Sequence, residues 1–347
     1  GMEKNGDYNG DKQEGAHLLQ FTIKNNKRHS TATAFLKPAM KRKNLTVKTN
    51  TLVKRILIEN GQAVGVEVLT SQKTSERINC SKEVILSAGA IQSPHILMLS
   101  GIGDPTELKK VGIDVLVPLS GVGKNLQDHV WSGVTAYTNV ATANSLLKPF
   151  NMAKAALQHI LLKSGPLSNS PLEANAFYKS DEKLTRPDLQ FHFVPLGIAS
   201  DYSTDIYDMK TYSKIDGVGI LSILLHPESR GTISLKTANY KDSPVIDHKV
   251  LTTENDKATI VKGIYKALEI MEEPALKKYI DGDISLPPKP INDDSLLVHV
   301  KKSLETLYHP VGTCKMGTDE LAVTDAHLCV RKVKRLRVVD ASVMPTI

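Results

Sequence analysis

The sequence predicts an α/β chain, α+β overall: an α/β layer that carries a β-meander is interrupted by an antiparallel sheet backed by helices. Three observations predict it. Glu83-Val-Ile-Leu-Ser-Ala88 is a short apolar run with β-branched residues. It feeds through Ala88-Gly89-Ala90 into a stretch that reads as helix up to Leu99, the strand-turn-helix step of an α/β layer. Residues 130–306 contain several short runs that alternate apolar and polar side chains, as antiparallel strands with one covered face do. Finally, Arg337-Val-Val-Asp-Ala-Ser342 is again an apolar run ending in small residues, so the last part of the chain returns to the first texture.

Totals bound the possibilities. The 347 residues suffice for roughly two domains, and 41% hydrophobic residues can build a sizeable core. Lys and Arg number 44 against 37 Asp and Glu, a formal charge of +7. No basic cluster is interleaved with aromatics, so a nucleic-acid partner is not expected. The densest patches, Lys41-Arg-Lys43 and Arg331 to Arg335, read as solvated loops. Three cysteines, Cys80, Cys314 and Cys329, do not make a disulfide framework. No apolar run approaches the roughly 20 residues of a membrane span. A cytoplasmic or membrane-peripheral location is the expectation.

Taken in order, residues 1–20 are polar and Gly-rich and read as a lid-like segment, with a short strand beginning at Leu18. A helix is expected from Ala32 to Met40. Asn44–Thr49, Leu52–Ile58 and Ala63–Leu69 alternate as strands, and Asn60-Gly61 is the strongest hairpin signal in the chain. At the turn after Ala88, Ser93 is the expected N-cap and Pro94 the first helical residue. A helix N-terminus placed there favours an anion such as a pyrophosphate; a tight packing corner is the plainer reading of the same residues. Further on, Ala153–Leu162 and Asn255–Met271 read as helices, and Asp188–Val194, Val218–His226 and Gly231–Leu235 as sheet strands.

The pattern Gly89-Ala-x-x-Ser-Pro-x-Ile-Leu-x-x-Ser-Gly-Ile-Gly103 resembles the second signature of the glucose–methanol–choline (GMC) family of FAD-dependent oxidoreductases, with every fixed position met. Gly121-Val-Gly-Lys-Asn-Leu-Gln-Asp-His129 and Tyr308-His-Pro-Val-Gly-Thr-Cys-Lys-Met-Gly317 resemble two further segments of that family. The resemblance implies a partial FAD-binding domain over 1–129, a substrate-binding domain over 130–306, and a return to the FAD-binding domain over 307–347. It implies FAD contacts at Val53, Ala88, Gly89, Asp340 and Ala341. Asp340 cannot neutralise a phosphate, but the N–H groups flanking it can bind one.

The resemblance also implies oxidation of an alcohol to an aldehyde or ketone by hydride transfer to flavin, with His309 as general base. Imidazole suits that task, because its ordinary pKa of about 6.5 lets it take up and release a proton near neutrality. Glu173 and His226 are the implied substrate contacts. A carboxylate with aromatics suits a quaternary ammonium, so choline or another primary alcohol is the candidate substrate. Oxygen, a quinone or another carrier remains open as electron acceptor. His129 reads as a hydrogen-bonded structural histidine and Cys314 as a small core residue. His309, Cys314 and Met316 lack the spacing of a tetrahedral zinc site.

Two alternatives stand beside this reading: a hydroxynitrile lyase of the same fold, which keeps the histidine without redox chemistry, and a non-catalytic binding module derived from the family. No Gly-x-Gly-x-x-Gly turn occurs, and Met344-Pro-Thr-Ile347 falls where members of the family continue into a segment with a second active-site residue. The chain is therefore expected to be a fragment that is inactive alone.

Overall fold

The computed structural model describes residues 2–347. It consists of two compact units. An α/β unit comprises Val47–His129, Pro227–Thr253 and Thr306–Ile347; a sheet unit comprises Gly1–Thr46, Val130–His226 and Glu254–Glu305.

In the α/β unit, strands Leu52–Glu59, Gln62–Leu69 and Ser75–Asn79 form an antiparallel meander. Asn60 and Gly61 both have positive φ, the conformation of a tight hairpin turn matched to strand twist, so the expected hairpin forms. Residues 44–49 do not become a strand, despite their alternation. Val84–Leu86 pairs in parallel with Leu336–Val338, with Leu336 opposite Val84 and Val338 opposite Leu86. That pairing joins the beginning and end of the unit, as the shared texture of the two segments predicts.

The helix after Val84–Leu86 starts earlier than expected. It spans Gly89–Leu99, with Pro94 inside it and Ser93 buried rather than capping. Proline lacks an N–H and leaves the carbonyl four residues earlier without its helical donor. That carbonyl belongs to Ala90, and the Thr313 hydroxyl donates to it at 2.5 Å. The interior proline is thus accommodated by a side chain from the far end of the chain. Ala90 and Ser93–Met98 are all buried, so this helix is a core element on nearly every side.

Its apolar residues join one cluster that includes Leu97, Ile102, Leu126, Cys314, Leu336 and Val338. Gly121 belongs to the same packing: a Cβ there would sit 1.9 Å from the Leu321 carbonyl oxygen. Leu126 and Gly231 exchange two N–H to carbonyl hydrogen bonds at 3.0 and 2.9 Å. That exchange places Pro227–Thr253 in this unit, although the sequence suggested one domain from 130 to 306. Thr232–Ser234 accordingly pairs with Val245–Asp247 and not with the larger sheet.

The sheet unit is built on an antiparallel sheet. Its strands run in the order Gly15–Leu18, Ala174–Tyr178, Leu189–Val194, Gly217–Leu224, Val130–Thr138, Ile280–Leu286. Helices Glu254–Glu272 and Asp293–Ser303 back it. Residues 1–46 depart from the expected division for a specific reason. Gly15–Leu18 is an edge strand paired with Ala174–Tyr178, so the start of the chain is part of this sheet and not a free lid. The expected helix at Ala32–Met40 is one wide π-type turn over Ala32–Leu36 followed by Lys37–Ala39.

Candidate active site

The loop Thr306–Gly312 is fixed before it presents any chemistry. Leu307 N–H donates to the His129 carbonyl at 2.9 Å, and Gln127 and Val311 exchange backbone hydrogen bonds at 3.1 and 2.9 Å. Tyr308 sits in the left-handed region at φ +62, a conformation that costs a non-glycine residue about 1–2 kcal/mol. Two hydrogen bonds hold it there. Tyr308 N–H donates to Thr306 Oγ1 at 3.0 Å, and Thr306 in turn donates to Asp128 Oδ2. The next amide, His309 N–H, donates to Asp128 Oδ1 at 2.9 Å. Asp128 is buried, so both of its oxygens are occupied in shaping this turn.

The turn carries the His309 imidazole at an exposed position. Its Nδ1 lies 3.1 Å from Nδ1 of half-buried His129, with the rings edge to face at 77°. Two nitrogens at that distance share one proton. If His309 Nδ1–H donates to His129, then His309 Nε2 carries the lone pair and can act as a base. Sequence reasoning placed His129 as structural and missed this contact; the signal available was only that both residues stand in family-like segments.

A second cluster gathers four of the five implied cofactor residues, Ala88, Gly89, Asp340 and Ala341. Asp340 Oδ2 accepts from Gly89 N–H at 2.9 Å and from Ser93 Oγ at 2.5 Å, while Asp340 Oδ1 accepts from Ser342 N–H at 2.8 Å. The carboxylate thus closes the start of the Gly89–Leu99 helix and the short 3-10 turn Ala341–Val343 together. The N–H groups of Gly89 and Ser342 end on Asp340 itself, and the helix N-terminus already faces an anion.

What the cluster offers is close approach. Ala88 is exposed, Gly89 has φ +85, and a Cβ on Gly89 would meet nothing within 4 Å. The Gly312 N–H donates to the Ala341 carbonyl at 3.3 Å, which ties the His309 loop to this cluster. Val53 stands apart from it. That residue is half-buried against the core, on a strand paired with Val68.

The sheet unit holds a cavity of about 240 Å³ whose lining includes Trp131, Leu172, Val194, Tyr202, Leu221 and Glu305. Its wall is hydrogen-bonded in one sense only. His299 Nε2 lies 2.8 Å from the Gly133 carbonyl, which only accepts, so Nε2 carries the proton and Nδ1 accepts from the Tyr202 hydroxyl at 2.9 Å. Burial pushes the His299 pKa below its ordinary value and keeps the ring neutral.

Glu173 is exposed. It follows Leu172 of the cavity lining and precedes Ala174, which is registered with Phe193, so Glu173 lies at the Val194 end of the sheet. His226 follows Leu225, whose N–H bonds to Asp188 at the other end. With about 3.3 Å of rise per residue, the two main chains are roughly 20 Å apart. A molecule the size of choline does not bridge them. On the same sheet, Asn175 is buried with neither amide atom paired to another protein group, a residue sequence reasoning did not single out.

The α/β unit, with an imidazole on a clamped loop and a glycine opening at a strand-to-helix turn, is the kind of framework on which a two-domain enzyme positions a cofactor and a base. Comparison with known proteins gives the family. Two family models described as GMC oxidoreductase match residues 1–131 and 227–347. The chain is 37% identical over 348 residues to an alcohol dehydrogenase [acceptor] of Pseudomonas putida, covering 99% of this chain and 61% of that protein. It is also 37% identical over 350 residues to an oxygen-dependent choline dehydrogenase of Brucella anthropi, covering 62% of that protein. The mitochondrial choline dehydrogenase of Homo sapiens is 38% identical over 343 residues, 98% of this chain and 56% of that protein. Among solved structures, pyridoxine 4-oxidase from Mesorbium loti superposes with a TM-score of 0.87 at 26% identity, covering all of this chain and 63% of that one. Formate oxidase of Aspergillus oryzae gives 0.89 at 23% and shares the fold.

The chain belongs to the GMC oxidoreductase family. It spans less than two thirds of the length of these relatives.

Proposed function

We propose that this chain is the greater part of an FAD-dependent enzyme that oxidises an alcohol, with His309 as the base. The carrying observation is the His309 ring on the Asp128-clamped loop, its Nδ1 3.1 Å from His129 Nδ1. Relatives named alcohol and choline dehydrogenases support the reaction class. The open, Cβ-free approach at Ala88-Gly89, with Asp340 and Ala341 alongside, suits close contact with an uncharged stretch of the cofactor better than neutralisation of its phosphates.

Bound FAD would supply the hydride acceptor. The residues of this chain do the rest. His309 Nε2 takes the hydroxyl proton as the C–H bond breaks, and the resulting imidazolium keeps its Nδ1–H directed at His129. Asp128 holds the loop so that the ring has one direction to face. The cavity of the sheet unit is largely aromatic and apolar, with one carboxylate, Glu305, and one ammonium, Lys302, whose Nζ lies 5.6 Å from the centre of the Tyr202 ring, and the candidate Glu173 adjoins it through Leu172. That lining suits a small primary alcohol; for the quaternary ammonium of choline, Glu305 and the aromatic rings attract and Lys302 repels.

The test is a completed protein in which this chain replaces the matching part of the Pseudomonas putida relative. Anaerobic addition of an alcohol should bleach its flavin, and His309→Ala should slow bleaching by about 10²–10⁴-fold. Unchanged bleaching in the variant would remove His309 from the role of base.

A further inference from the structure

The sheet unit carries a surface that the proposed chemistry does not use. Residues 15–46 contain seven lysines and arginines and no acidic residue; residues 129–172 contain three lysines and no acidic residue. The two stretches meet, because Asn26 Nδ2 donates to the Lys163 carbonyl and a groove is lined by Phe21, Ile23, Arg28, Phe35 and Leu167.

The helix Pro149–Leu162 makes this surface unusual. Its one buried residue is Ala155, and its bulky residues point outward. Phe150 is 81% exposed, Leu157 58%, Ile160 68% and Leu161 67%. Their spacing of three and four places them on one stripe of the helix, with exposed Lys154 within it. Phe35, 73% exposed, adds a further ring from the basic segment. Scattered exposed leucines are ordinary, but a contiguous apolar stripe edged by lysine marks an interaction surface.

We infer that the helix Pro149–Leu162 and the basic segment Ile23–Lys43 dock the protein on an anionic lipid surface, with the Phe150–Leu161 stripe entering the headgroup boundary. Charge selects the occupant. These two elements carry eight cations and no carboxylate, matching a layer of negative headgroups, and the outward stripe supplies the apolar area that an interfacial helix buries. None of the described helices is long and apolar enough to cross a membrane. This inference does not depend on the proposed reaction.

Vesicle flotation of the 347-residue chain tests it. The chain should float with vesicles of phosphatidylcholine plus phosphatidylglycerol, stay behind with phosphatidylcholine alone, and be released by high salt. Lys154→Ala should weaken binding about fivefold, and Leu157→Asp with Leu161→Asp by at least about tenfold, with unchanged thermal unfolding in both. Equal flotation with neutral vesicles, no flotation with anionic ones, or a double variant that floats like the native chain would each overturn the inference. Retention in the unbound fraction is also what a seat for another polypeptide would give.

Discussion

Nδ1 of His309 lies 3.1 Å from Nδ1 of His129, and one proton serves both. If His309 is the base proposed above, this pairing makes His129 a positioning residue, because it sets which nitrogen of His309 is free. His129→Phe removes the acceptor and lets His309 adopt the tautomer whose Nε2 is already protonated. In the completed, flavin-loaded protein the rate of flavin reduction should fall about 10–100-fold, the range in which orienting partners act. The pH–rate profile should shift as well, and His129→Asn should recover part of the rate. A profile that stays in place would assign His129 a purely structural role.

Asp128 accepts from the His309 amide at 2.9 Å and from the Thr306 hydroxyl. Hydrogen bonds to a buried carboxylate contribute about 1.5–3 kcal/mol, and here they hold Tyr308 in its left-handed conformation. Asp128→Ala should therefore cost about 2–3 kcal/mol in urea unfolding and speed hydrogen exchange at the His309 amide. Asp128→Asn keeps an oxygen for that amide and should cost less. Equal losses in the two variants would mean the amide contact contributes little.

Much of the α/β unit was legible because its signals are local. The β-branched run before Ala88 and the Asn60-Gly61 turn need no distant partner to be recognised. What was missed depends on residues far away in sequence. Ser93 reads as an N-cap until Asp340 and Thr313 arrive to let the helix begin at Gly89 with a proline inside it. Residues 44–49 alternate like a strand, yet no edge pairs with them. Gly15–Leu18 reads as part of a polar, lid-like segment until Ala174–Tyr178 lies beside it. His129 and His309 are 180 positions apart, so their contact has no signature in either segment. The same holds for Glu173 and His226, whose separation along the sheet follows from strand register and not from either local motif.

The three thiols should differ sharply in reactivity. Cys314 is fully buried in the core of the α/β unit, and burial pushes its pKa up, so almost none of it is thiolate near neutrality. Cys80 and Cys329 are only partly covered. Titration of the native chain with a disulfide reagent should label Cys80 and Cys329 first, and Cys314 only at the rate of unfolding. Fast labelling of Cys314 would show that the segment between the His309 loop and Met316 opens locally.

Glu67 gives the α/β unit an acid-sensitive element. Hydrogen bonds from Lys54, Ser75 and Arg55 hold its carboxyl at about 2, well below the ordinary 4.5. Arg55 lies directly across the meander from Glu67 and donates through Nε at 2.8 Å, while Ser75 donates from the third strand at 2.7 Å. One carboxylate therefore ties all three strands together. A carboxyl depressed by folding contributes stability above its unfolded value and loses it as pH falls toward the folded one. The window runs here from about pH 4.5 down to about pH 2. Because the cluster is only half-buried, solvent screens it, and Glu67→Gln should cost about 1–2 kcal/mol near neutrality. Urea unfolding of native chain and variant at pH 7 and again near pH 3 should show that difference shrinking as Glu67 is protonated in the unfolded state. His299 and His95, whose pKa values burial lowers, act higher on the same scale. They begin to favour unfolding as pH drops below about 6.5, in both native chain and variant alike, so they cancel from the comparison. A difference that held constant from pH 7 to pH 3 would mean that shape, and not charge, makes Glu67 matter.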